Sequence, residues 1–123
     1  MRLLALDIGK RRTGVAFFDE ATGVPLPLDT LTHTSTDELL TLIETLVRER
    51  KIDRLIVGLP LLPSGKDGAQ SEYVRSVAES LKERGMAVSL MDERYSNPTD
   101  STKNRDAYAA WNLLQTAVSK KSL

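Results

Sequence analysis

The sequence contains no cysteine and only one histidine among its 123 residues. Without cysteine it can form neither a disulfide nor a thiolate metal site, and a single histidine excludes a multi-histidine zinc site. No apolar run approaches the roughly 20 residues that a membrane-spanning helix needs. The first residues reach Asp7 too soon for a secretory signal. We therefore expect a cytoplasmic protein with no membrane partner.

The sequence also has no excess of charge of one sign, because 17 Lys and Arg residues balance 17 Asp and Glu residues. A protein that coats nucleic acid through bulk electrostatics usually carries a basic excess. If this chain binds a polynucleotide, it needs a local basic patch, with cations bridging its acids. The 41% hydrophobic and 28% charged residues are typical of a globular protein. We expect a single domain over residues 1–123, with 118–123 as a frayed tail.

The hydrophobic pattern predicts strands and helices in the order β-β-β-α-β-α-β-α. Short apolar runs at 3–6, 55–59 and 87–91 are typical of buried strands, and two more strands are predicted at 13–18 and 26–31. The tight turn after the first strand predicts an antiparallel hairpin, and helices between the later strands predict parallel crossovers. We therefore expect an α/β fold whose mixed five-stranded sheet has three antiparallel strands first and helices on both faces.

Three stretches carry apolar residues at helical spacing. Ser35 and Glu38 have the spacing of a capping box at the start of the first helix, and Gly85 suits the end of the second. The apolar stripes are Leu39, Leu40, Ile43, Leu46 and Val47 in the first, Tyr73, Val74, Val77, Ala78 and Leu81 in the second, and Ala107, Ala110, Trp111, Leu114 and Val118 in the third. We interpret Trp111 as a core residue. Residues 63–68 are the most loop-like and could close over a bound strand.

Acidic residues lie at the ends of predicted elements. Asp7 ends the first strand, and Asp106 begins the last helix, where it could simply complement the helix dipole as a solvated residue. Asp92 and Glu93 end the fifth strand, and strand alternation lets only one of them face a shared site. If the acids converge at one sheet edge, two carboxylates about 4 Å apart repel by on the order of 4 kcal/mol at an effective dielectric constant of about 20. Either one carboxyl becomes protonated or a divalent cation neutralises the pair. Oxygen ligands without His or Cys suit Mg²⁺ or Mn²⁺, and such a site is typical of metal-assisted phosphoryl transfer.

Six basic residues flank these acids in the sequence. They are Lys10, Arg11 and Arg12 after the first strand, and Arg94, Lys103 and Arg105 near the other acids. Around a carboxylate cluster such residues would hold phosphates, and Gly9 lets the backbone come close to a ligand. The alternative for the first three is a solvated hairpin turn. His33 has no metal-like partner in the sequence, and we predict that it lies at the surface or at an edge.

Four segments, in order, resemble the YqgF/RuvX family of resolvase-like nucleases. They are Leu-Ala-Leu-Asp-Ile-Gly-Lys-Arg-Arg-Thr-Gly-Val-Ala at 4–16, Ile-Val-Gly-Leu-Pro-Leu at 56–61, Asp-Glu-Arg at 92–94, and the stretch 106–115 that begins Asp-Ala-Tyr-Ala-Ala. The resemblance covers nearly the whole chain. Four ordered motifs discriminate far better than any one of them.

The resemblance implies a ribonuclease H-like fold and a two-metal nuclease. In that family pattern Asp7, Glu93 and Asp106 are the catalytic residues that hold Mg²⁺ or Mn²⁺, and Asp92 is the substitute for Glu93. Family members are linked to maturation of the ends of precursor ribosomal RNA and, earlier, to Holliday junction resolution. After Arg94 the chain has Tyr-Ser-Asn-Pro where the family has two threonines, and the stretch to Asp106 is shorter.

We expect hydrolysis of phosphodiester bonds in RNA or single-stranded DNA, in the processing of precursor 16S rRNA and in contact with ribosome precursor particles. One alternative is a Holliday junction resolvase, which needs two active sites and therefore a homodimer. Another is a non-catalytic nucleic-acid-binding or ribosome-assembly module. The sugar kinase and actin fold also has Asp-x-Gly after its first strand, but its second lobe does not fit in 123 residues.

Overall fold

The computed structural model describes residues 1–92, and its elements follow the predicted order. Its strands are β1 (Arg2–Ile8), β2 (Arg12–Asp19), β3 (Leu26–Pro27), β4 (Leu31–Thr32), β5 (Arg54–Leu59) and β6 (Val88–Asp92). Its helices are α1 (Thr36–Arg50) and α2 (Ala69–Glu83). The predicted third helix, with Trp111, and the tail 118–123 lie outside the described residues.

The predicted third strand over 26–31 is instead two strands of two residues each, β3 and β4. Pro25 and Pro27 have no backbone N–H, so this stretch cannot pair continuously with its neighbour. Both short strands pair antiparallel with β2, at different places along it. Within residues 1–92 the sheet therefore has six strands where five were predicted.

The strand order is β3-β2-β1-β5-β6, with β4 also paired with β2. β1 runs antiparallel to β2, from Arg2 opposite Asp19 to Ile8 opposite Thr13. β5 runs parallel to both β1 and β6. The mixed sheet is thus confirmed. The strands β1, β5 and β6 all finish at one end of the sheet, at Ile8, Leu59 and Asp92, which we call the C-terminal edge.

Two apolar clusters lie on opposite faces of the sheet. One, on what we call the helical face, joins the buried residues of α1 and α2 to alternate strand residues, among them Leu4, Leu6 and Val57. The other, on the opposite face, consists of buried Leu3, Ala5, Ala16, Phe18 and Ile56. Both helices within residues 1–92 pack on the helical face, and neither is long and apolar enough to cross a membrane. Truncating a leucine such as Leu6 in this core to alanine costs about 2–5 kcal/mol.

The start of α1 and the end of α2 are close to those predicted. The Ser35 hydroxyl accepts a hydrogen bond from the Glu38 N–H at 3.1 Å, as in a capping box. The Glu38 carboxylate, however, accepts from the N–H of Thr34 at 2.6 Å rather than from that of Ser35. The hydroxyl of Thr34 also donates to this carboxylate, at 3.1 Å. The two hydrogen bonds from Thr34 hold the pKa of Glu38 below its usual value. Gly85, at φ 92°, ends α2 in the left-handed conformation that glycine favours.

His33 is a buried residue, so the predicted surface position was wrong, whereas it does directly follow β4, a short strand that within residues 1–92 pairs with β2 alone. The residue is only 1% exposed, and its Nε2 lies 3.0 Å from the buried Thr13 hydroxyl. Its backbone N–H donates to the carbonyl of Arg11 at 2.9 Å. Its Nδ1 has no hydrogen-bond partner within residues 1–92. The sequence pattern missed this position because the partners of His33 lie about twenty residues earlier in the chain.

We predict that burial of His33 makes folding stability depend on pH. Desolvation lowers the pKa of His33 below 6.5, and the negative charge of Glu38 only partly opposes this. Below about pH 6.5 the unfolded chain therefore binds a proton that the folded chain does not, so stability falls as the pH falls. Denaturant unfolding from about pH 8 to about pH 5 should show this loss, and His33→Gln should lack that part of it.

The single histidine makes a direct check possible, because its imidazole signals in an NMR titration need no assignment. We expect a titration midpoint below 6.5 in the folded protein. A midpoint at or above that value, or an unchanged pH dependence in His33→Gln, would show that the imidazole is not held neutral by burial.

Candidate functional site

Asp7 lies one residue before the end of β1, at the C-terminal edge. Its chain neighbours Leu6 and Ile8 both belong to the cluster on the helical face. Because successive strand residues point to opposite sides, Asp7 lies on the opposite face. The residue as a whole is half-buried.

Glycines lie beside Asp7 on both neighbouring strands. Gly14 of β2 is the direct cross-strand partner of Asp7. On β5, Val57 is level with Leu6, which places Gly58 level with Asp7. Residues at the same level share a face, so neither strand presents a side chain directly beside the Asp7 carboxylate. A glycine within a strand often marks a place where a ligand comes close to the backbone.

Gly14 and Gly58 each interrupt a largely apolar strand, yet neither was predicted to belong to a site. Only the strand register shows that they flank the same residue, because they are 44 positions apart (58 − 14 = 44). The signal that could have found them is an isolated glycine in a strand pattern, weighed together with an acidic residue at a neighbouring strand end.

Asp92 does not share a face with Asp7. Leu90 packs against the cluster on the helical face and Met91 against the cluster on the opposite face. Asp92, paired with Leu59 at the end of β6, therefore returns to the helical face. The role of Asp92 as the substitute for Glu93 stays a prediction, and this position on the helical face does not favour it.

Glu93 and Asp106 lie outside the described residues, so their convergence with Asp7 stays a prediction. Within residues 1–92 there is no group of three or more His, Asp or Glu residues placed to hold a metal ion. Of Asp7, Glu93 and Asp106, only Asp7 lies within the described residues. It is at the C-terminal edge, on the face away from the helices.

The basic turn, residues 9–12, joins β1 to β2 at the C-terminal edge. The backbone N–H of Gly9 donates to the carbonyl of Arg12 at 3.0 Å, and this hydrogen bond closes the turn. Lys10, Arg11 and Arg12 are all exposed. The structure thus brings together half of the predicted nucleic-acid-binding set beside Asp7. The other half, Arg94, Lys103 and Arg105, lies outside the described residues.

A second segment, residues 60–68, follows β5 at the same edge and leads into α2. The N–H of Leu62 donates to the carbonyl of Lys66 at 2.9 Å, and Gly65 takes the left-handed conformation at φ 86°. This confirms the predicted loop over 63–68, whereas its closing over a bound strand stays a prediction. The Gln70 side chain donates to the carbonyl of Ile8 at 3.1 Å and so ties the first turn of α2 to the end of β1.

Known proteins resemble this chain in sequence and in fold. The family model described as "RuvX: Holliday junction resolvase" matches residues 1–120. The chain is 42% identical over 95 residues to the "Putative pre-16S rRNA nuclease" of Chromobacterium violaceum, covering 76% of this chain and 69% of the relative. It is 32% identical over 123 residues to a protein of the same name from Nitratidesulfovibrio vulgaris, covering 99% of this chain and 87% of the relative.

Among solved structures, Thermus thermophilus RuvC matches with a TM-score of 0.63 at 8% sequence identity, covering 98% of this chain and 97% of that chain. At such low identity the similarity shows the fold alone. The ribonuclease H-like fold that the sequence resemblance implied is thereby confirmed.

We predict that Gly9→Ala distorts the basic turn. A Cβ atom at Gly9 would lie 2.5 Å from the carbonyl oxygen of Arg12, which is too close and involves rigid backbone. The substitution should lower the free energy of unfolding by about 1–3 kcal/mol. Lys10→Ala is the matched control, because it places the same residue at an exposed position and should change stability by less than about 0.5 kcal/mol. Equal stabilities of the two variants in denaturant unfolding would contradict the prediction.

Proposed function

The chain belongs to the RuvX family, whose model matches residues 1–120, and from this premise we propose that it is a nuclease that hydrolyses phosphodiester bonds of RNA or single-stranded DNA. The names of the two relatives favour precursor 16S rRNA as the substrate, and we place the reaction in the cytoplasm, on ribosome precursor particles. One observation carries the proposal. It is the position of Asp7 between Gly14 and Gly58, next to the exposed basic turn at one sheet edge.

In this proposal Asp7, Glu93 and Asp106 would hold a pair of Mg²⁺ or Mn²⁺ ions. Asp7 fits this role because its carboxylate is a hard oxygen ligand, and its neighbours at the same level on β2 and β5 are glycines, beside which a ligand can come close to the backbone. The ions would supply Lewis-acid activation of the phosphodiester and of water. Since Asp92 is on the helical face, Glu93 is the acid of that pair that we assign to the site.

The basic residues would bind the substrate rather than react with it. Lys10, Arg11 and Arg12 lie on the β2 side of Asp7, and residues 60–68 lie on its β5 side. A nucleic-acid strand crossing the C-terminal edge between them would place a phosphate near Asp7. Arginine is suited to this because its guanidinium can bind two phosphate oxygens at once. We assign Arg94, Lys103 and Arg105 to the same phosphate contacts.

The description of the family favours a second candidate, a resolvase that cuts four-way DNA junctions. Cutting both strands of a junction symmetrically requires two active sites and therefore a homodimer. The same basic turn and the same acid would serve, so the two candidates differ in substrate shape and in oligomeric state.

We predict that Asp7→Asn abolishes cleavage while leaving the fold intact. The substitution keeps the size of the side chain but removes the charge that holds the cations, so kcat/KM should fall by about a thousandfold or more. Asp92→Asn is the matched control, because this acid ends a strand at the same edge but on the helical face. It should keep most of the activity. Retained Mn²⁺-dependent cleavage by Asp7→Asn, or equal losses in both variants, would reject the assignment.

A substrate panel separates the candidates. Purified protein with Mn²⁺ is incubated with a precursor 16S rRNA fragment, single-stranded DNA, linear duplex DNA and a four-way junction. We expect the RNA and the single strand to be cut before the duplex. Cutting confined to the junction, by a dimer, would favour the resolvase. Tight RNA binding with no turnover at any divalent cation would favour a non-catalytic ribosome-assembly module.

A further inference from the structure

The basic turn is held from within the protein by His33. The imidazole Nε2 lies 3.0 Å from the hydroxyl of Thr13, and the backbone N–H of His33 donates to the carbonyl of Arg11 at 2.9 Å. These two contacts lie on either side of Arg12 in the chain. His33 and Thr13 are 1% and 0% exposed, so water does not compete for the bond between their side chains.

His33 is itself fixed at both ends. Before it, β4 pairs with the start of β2, with Thr32 opposite Arg12. After it, Ser35 caps α1 through its bond to Glu38. A strand of two residues makes few hydrogen bonds and holds a neighbouring turn weakly when it acts alone. The side-chain bond of His33 to Thr13 therefore adds substantially to the connection between the turn and α1.

A histidine is an unfavourable residue for this position if only stability matters. Its Nδ1 is buried without a hydrogen-bond partner within residues 1–92. Such groups are uncommon in folded proteins, because burial removes their hydrogen bonds to water and no protein group replaces them. An apolar residue would fill the space without that cost but could not bind Thr13. The presence of histidine at this position is better explained by its side-chain contact with Thr13, which keeps the basic turn in place.

We propose that His33 is a positioning residue for nucleic-acid binding: it fixes the basic turn so that Lys10, Arg11 and Arg12 meet the phosphates of a bound strand in one arrangement. The inference rests on the proposed function. A turn that is already ordered loses less conformational freedom on binding than a loose one. Removing the His33–Thr13 bond should therefore weaken binding and raise KM, while kcat, which depends on Asp7, changes little.

Thr13 offers a matched pair of variants. Thr13→Val keeps the shape of the side chain but removes the hydroxyl, whereas Thr13→Ser keeps the hydroxyl. With a labelled single-stranded RNA of about 20 nucleotides, in Ca²⁺ so that binding is measured apart from cleavage, Thr13→Val should raise Kd about tenfold. Thr13→Ser should stay within about twofold of the unsubstituted protein. In Mn²⁺, Thr13→Val should raise KM similarly and leave kcat within about twofold.

Salt dependence and a double substitution distinguish positioning of the turn from a loss of stability. For each phosphate that the protein no longer binds, the slope of log Kd against log salt concentration should fall by about 0.7, and this slope does not depend on the fraction of folded protein. Thr13→Val and Arg11→Gln should each lower this slope.

When the two substitutions are combined, their effect on Kd should be smaller than the product of the single effects, because both act on the same turn. An unchanged slope, or effects that multiply fully, would overturn the inference.

Failure of the inference and failure of the proposed function give different results. If the unsubstituted protein neither binds nor cuts any nucleic acid, the proposed function fails and takes the inference with it. If that protein binds and cuts but Thr13→Val has the same Kd and salt slope, only the role of His33 is rejected. Should Thr13→Val not fold, His33→Leu removes the same bond from its other end and gives the same comparison.

Discussion

The pairing of β1 between β2 and β5 is the constraint on which the candidate site depends. Because side chains alternate along a strand, this pairing places Leu6 and Ile8 in the core under the helices and leaves Asp7 between them on the other face. A shift of one residue would move the carboxylate under the helices and a core residue to the other face. The free energy of burying the core therefore also fixes the position of the proposed catalytic acid, and the two cannot vary independently.

The distribution of charge matters more to this chain than its sum. Arg2 and Arg84 lie away from the C-terminal edge, and each is paired with a carboxylate, of Asp19 and Glu44 respectively. At the C-terminal edge, three successive basic residues are exposed on one turn. A formal net charge of zero thus coexists with a local positive region next to Asp7. Such a local field attracts phosphates at short range without the general affinity for polyanions that a basic protein has.

Much of the fold could be predicted from local pattern, because helix and strand periodicity depend on neighbouring residues. Gly85 ended α2 as predicted, for instance, and the tight turn after β1 led into an antiparallel β2 as predicted. What local pattern could not supply was the set of partners brought together from distant positions. The burial of His33 depends on the Thr13 hydroxyl, and the setting of Asp7 depends on Gly14 and Gly58 lying at its level.

The short strands that end the sheet beyond β2 also bear on how copies of the chain could associate. β3 is two residues long and includes Pro27, and it forms the outer end of the strand order. Because this edge strand is so short and Pro27 lacks a backbone N–H, few backbone groups are available to pair with a strand of a second chain. A two-fold assembly able to cut both arms of a branched DNA would therefore have to be built through a surface other than this edge of the sheet.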